Sequence, residues 1–123
     1  MTENLWPEFH PTIRSQTVRR LLLEAGEGLA ERTDNRVRFV VVSRPLDPPL
    51  HECFLYAPDL GYRYLFLRVF ENGDPYPVSL ITANEGESTL IAKTERALLK
   101  HLRDIFHSDL TTKQITSLLE NVV

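Results

Sequence analysis

Only one cysteine, Cys53, occurs among the 123 residues of this chain. That excludes an intramolecular disulfide and a cysteine-rich zinc site. A single thiol also fits a reducing compartment. Long apolar runs are missing, and none reaches the roughly 18 residues that suggest a membrane span. Met1 to Trp6 lacks the basic and apolar blocks of a secretory signal. These absences together predict a cytoplasmic protein with no membrane partner. Positive charge is not in excess either. The formal net charge of -3 weighs against nonspecific nucleic-acid binding, but leaves room for a local basic patch. Neither an internal repeat nor a low-complexity tract is present.

What is present is an ordinary globular balance, 42% hydrophobic and 25% charged, in a length that suits one core. The chain is organised around Tyr62 to Thr82. Tyr62–Phe70 is dense in aromatic and β-branched residues and predicts a strand. Asn72-Gly73 follows, a pair that favours the left-handed backbone of a type I′ hairpin turn. Pro75 and Pro77 delay the return strand at 78–82, because neither can donate a ladder hydrogen bond. Two further strands are predicted upstream, at 36–43 and 51–57, with Val37, Phe39 and Val41 on one face of the first. The linkers are short, which favours an antiparallel meander over parallel crossovers.

Helices flank these strands. Thr12 to Arg32 places Val18, Leu21, Leu22, Ala25 and Leu29 at helical spacing. Gly26 and Gly28 weaken that helix or mark a close backbone approach. Glu87 to Phe106 predicts a second long helix, capped by Asn84 or Ser88, with Leu90, Ile91, Leu98, Leu102 and Ile105 on its buried stripe. A short final helix follows Thr111, with Ile115, Leu118, Leu119 and Val122 apolar. The expected fold is α+β: a four-stranded antiparallel meander, packed on one face by two long helices, with a short C-terminal helix. Residues 1–12 form an N-terminal arm, and 13–123 a single domain. Leu65, Leu67 and Val69 are expected to face the helices. Tyr62, Tyr64, Phe66, Arg68 and Phe70 would then lie on the opposite side, which is too aromatic for an ordinary wet surface.

Motifs for catalysis are weak. His51 and Cys53 share a strand face, but two residues apart is an awkward geometry for a base and its nucleophile. A buried structural cysteine accounts for the pattern. The histidines at 10, 51, 101 and 107 lack metal-binding spacing. No catalytic residue, metal ligand or cofactor is assigned. Lys93, Arg96, Lys100 and Arg103 recur along one side of the second long helix and could contact phosphates. A solvated face beside Glu95 and Asp104 is the preferred explanation of the stripe. The leading expectation is a non-enzymatic interaction or regulatory domain that pairs with itself or another protein through Tyr62, Tyr64, Phe66 and Arg68. A small-molecule pocket or enzyme site at Tyr62, Tyr64 and Phe66 is the second, and nucleic-acid binding through the basic stripe the third.

Overall fold

Thr17 starts the first helix by accepting the Arg20 N–H on its hydroxyl at 3.3 Å. In the computed structural model, which describes Leu5, residues 17–82 and residues 88–121, that helix is α1, Val18–Arg32. Residues 12–16 of the expected helix and all but Leu5 of the expected arm lie outside the described residues. The sheet follows as β1 (Arg38–Arg44), β2 (Leu50–Ala57), β3 (Tyr62–Glu71), β4 (Val78–Thr82) and β5 (Ser88–Ala92). Its spatial order equals its chain order, and every neighbouring pair is antiparallel. Then come α2 (Glu95–Phe106) and α3 (Asp109–Asn121).

The meander therefore has five strands and not four. The extra strand is Ser88–Ala92, which the helical stripe had claimed. Leu80 of β4 sits opposite Leu90, and this pairing stabilises an extended backbone there. Thr94 caps α2 by accepting from Ala97 N–H at 3.1 Å, replacing Ser88 in that role; Asn84 lies outside the described residues. Helix lengths also differ from expectation. At 15, 12 and 13 residues, the three α-helices seen among the described residues are of similar size.

The β3–β4 hairpin forms, with a different turn. Asn72 N–H donates to Pro77 O at 2.9 Å, and Gly73 N–H donates to Pro75 O at 3.0 Å. Gly73 is not in the left-handed region; Gly61, at φ 60°, is. Gly73 is needed because a Cβ there would meet the Tyr76 carbonyl.

One irregularity decides which side chains face the helices. Cys53 pairs with Leu67, but its neighbour Phe54 pairs with Leu65, so Phe66 is the extra residue of a β-bulge. Across a bulge the alternation slips by one. Tyr62, Tyr64 and Phe66 therefore face the helices together with Leu67 and Val69. Leu65, Arg68 and Phe70 lie on the other side, so the expected positions of Leu65, Tyr62, Tyr64 and Phe66 are reversed. All three helices pack on the first side. Leu21, Leu22, Leu98 and Leu102 share one core with Val41, Cys53, Leu67 and Leu80, and Ile115 and Leu118 of α3 pack against its border.

Candidate functional site

The bulge delivers Phe66 into a cluster of three rings. Phe39 of β1 meets Phe66 edge-on at a centroid distance of 6.4 Å, and meets Phe106 at the end of α2 at 5.6 Å. Phe66 and Phe106 stack at 6.3 Å with 29° between their planes. Phe66 is 1% exposed, whereas Phe39 and Phe106 are half-buried. Edge-on and offset contacts of this kind match the electrostatics of aromatic faces and edges. The cluster forms the floor of a cleft of about 330 Å³ between the second half of α1, the sheet, and the corner where α2 meets α3.

Glycine shapes the α1 wall. A Cβ at Gly26 would collide with the Phe39 ring and stand 2.7 Å from the Phe39 Cβ, so only glycine lets helix and strand approach this closely. Gly28 faces the cleft differently, with no heavy atom within 4 Å of where its Cβ would be. A guanidinium and an imidazole complete the lining. Arg32 ends α1 and is exposed, and His107 follows α2. His107 donates Nδ1–H to the Arg103 carbonyl at 2.9 Å, which leaves Nε2 for another partner. On the far wall, the buried Thr111 hydroxyl donates to Ile105 O at 2.7 Å and holds the α2–α3 corner shut.

The residues expected to form one aromatic surface are thus separated. Phe66 lines this cleft. Tyr62, 48% exposed, and Tyr64 line a second cleft of about 320 Å³ between β3 and α3, where Gln114 donates to the Tyr64 hydroxyl at 3.1 Å. Arg68 lies on the opposite side of the sheet. Of the basic stripe, Arg96, Lys100 and Arg103 share an exposed face of α2 and line a shallow groove; Lys93 precedes the helix. Cys53 is fully buried, and burial pushes its thiol up to about 12, far from a reactive thiolate. His51 does share the Cys53 face, but its ring nitrogens bond to Ser43 and Glu71. Among the described residues no group of three metal-ligating side chains converges.

Arg32, Phe39, Phe106 and His107 escaped the sequence reading because they come from three separate elements. The one local signal was Gly26-x-Gly28, whose close-approach explanation holds at Gly26. Neither a protein-family model, a curated protein nor a solved structure matches this chain.

Proposed function

We propose that the protein is a small binding domain whose ligand is an amphipathic acid, with an apolar body against Phe39, Phe66 and Phe106 and an anionic head toward Arg32 and His107. The observation that carries this is the cleft itself: three aromatic rings, the Arg32 guanidinium and the His107 imidazole around a volume typical of small-molecule sites. Rings offer area without rotamer cost, and a guanidinium gives directional hydrogen bonds to a carboxylate. A titration with anilinonaphthalene sulfonate, then competition by medium-chain carboxylates and the matching alcohols, tests it. The carboxylates are expected to displace the probe better than the alcohols. Arg32→Gln should remove that preference, a loss of about tenfold in affinity for one charge-assisted hydrogen bond. Gly28→Leu should abolish probe binding by filling the cleft. Equal displacement by acid and alcohol, or unchanged binding to Gly28→Leu, would end this reading.

A second reading, self-association, is favoured by the other face of the sheet. Among the described residues no helix packs there. The face carries Val42, Phe54, Leu65, Phe70 and Ile81, all half-buried, and the exposed Ile91. A second copy placed over this ladder would bury it symmetrically. The proposed interface thereby moves from Tyr62, Tyr64 and Phe66 to the opposite face, and keeps only Arg68.

A further inference from the structure

At the opposite end of α1 from the cleft, three side chains from three strands form a hydrogen-bonded line. Ser43 of β1 and His51 of β2 are direct partners across the ladder. Val69 of β3 is opposite His51, and Glu71 lies two residues further along the same face. The Ser43 Oγ is 2.7 Å from His51 Nδ1, and His51 Nε2 is 2.6 Å from the Glu71 carboxylate. Above them Arg19, from the first turn of α1, donates Nη1–H to the Ser43 Oγ at 2.7 Å and to the Val41 carbonyl at 3.4 Å.

Only one arrangement of protons satisfies all these contacts with a neutral imidazole. A carboxylate accepts, so His51 Nε2 must donate to it, and Nδ1 is left as an acceptor. Ser43 Oγ–H then donates to Nδ1 while its oxygen accepts from Arg19. A nucleophile is thereby bonded to a base, and the base is oriented by a carboxylate, the order of roles that activates a serine, with the two ring nitrogens exchanged relative to the usual triad. The placement of the groups agrees with this. His51 is 6% exposed and so held in one orientation, whereas Ser43 is exposed to solvent.

We propose that Ser43 is a nucleophile toward carboxylic esters, with His51 as its base, Arg19 as the oxyanion donor and Glu71 as the positioning residue. The Ser43 Oγ attacks the ester carbonyl carbon, and its proton passes to His51 Nδ1. The oxygen of the tetrahedral adduct gains negative charge beside the Arg19 guanidinium, which stabilises it. Collapse breaks the carbon–alkoxy bond, and the leaving alcohol takes the proton from Nδ1. Water then attacks the Ser43 ester by the same route, gives a proton to Nδ1, and releases the acid as that proton returns to Oγ. One ester and one water become one acid and one alcohol. Since Ser43 stands on an exposed strand end, the substrates are small or solvent-presented acyl esters.

The test uses the whole chain. A fluorophosphonate probe is expected to add once, with peptide mapping placing the adduct on Ser43, and p-nitrophenyl acetate should be hydrolysed above the buffer rate. Ser43→Ala and His51→Gln should each lower that rate by about 100-fold or more, the contribution expected of a positioned base and its nucleophile. Glu71→Gln should lower kcat by about tenfold and move the pH dependence of kcat, whereas loss of folded protein would scale that profile without moving it. Ser43→Ala removes one exposed hydroxyl and should fold as the parent does, so its result stands even if His51→Gln unfolds. An unlabelled folded parent, an adduct elsewhere, or full hydrolysis by Ser43→Ala would overturn the proposal.

Discussion

The Cys53 thiol sits between Val41 and Leu67 on adjacent strands and is closed off from water. Burial alone raises it from 9.0 to about 12. In the window between those two values the folded chain keeps a proton that the unfolded chain has lost. Folding therefore binds protons there, and stability falls as pH rises through the window, by about 1.4 kcal/mol per pH unit from this group. Urea denaturation at stepped alkaline pH should show a shallower decline for Cys53→Ala than for the parent. Tyr76, whose phenol is also pushed up by burial and then by Glu95 and Glu71, acts in the same direction in both proteins and cancels in the comparison. Parallel slopes would mean that Cys53 is not the group responsible. That Cys53 would be buried was legible from its place in an apolar strand; that His51 would turn its nitrogens to Ser43 and Glu71 was not, because those partners lie 8 and 20 residues away.

Elements show where local pattern stops being enough. Leu90 and Ile91 continue the helical spacing of Leu98 and Leu102, and the same residues also fit a strand. Pairing with β4 decided between the two. The α1 glycines separate the two meanings that glycine can have in a helix. Gly28→Ala meets open space and should stabilise by about 1 kcal/mol through helix propensity alone. Gly26→Ala must push Phe39 aside and should destabilise by about 1–3 kcal/mol, the usual cost of overpacking. Thermal unfolding of the two variants checks both signs, and equal shifts would contradict the close approach. In α2, Leu98 is 0% exposed and packs with the sheet core. Leu98→Ala should cost about 2–5 kcal/mol in chemical denaturation. A loss below about 0.5 kcal/mol, the level of an ordinary surface substitution, would show that the site is not core.

For the molecule as a whole, assembly and ligand binding make separable predictions. If the sheet face opposite the helices joins two copies, sedimentation over a concentration series should show a monomer–dimer equilibrium. Leu65→Glu should shift that equilibrium to monomer and leave each fold intact, because Leu65 is not among the core residues. Phe66→Glu should instead unfold the chain, since Phe66 is inside the core. A strict monomer at high micromolar concentration would remove the self-association reading and leave the cleft untouched.

Short-range physics was enough for much of this architecture. Strand-forming runs with short linkers dictate an antiparallel meander, and the spacing of Leu21, Leu22, Leu98 and Leu102 dictates which helix faces are buried. Those consequences depend on neighbours within one turn or one hairpin, so they can be read along the chain. The bulge at Phe66 cannot be read this way. It is a shift in the β2–β3 register between Cys53 and Phe54, and it changes the face of every β3 residue before it. The aromatic cleft, the line from Arg19 to Glu71 and the opposite apolar face all follow from that register and from where the helices dock. They are contacts between distant segments, whose free energy is realised only when the whole sheet has formed.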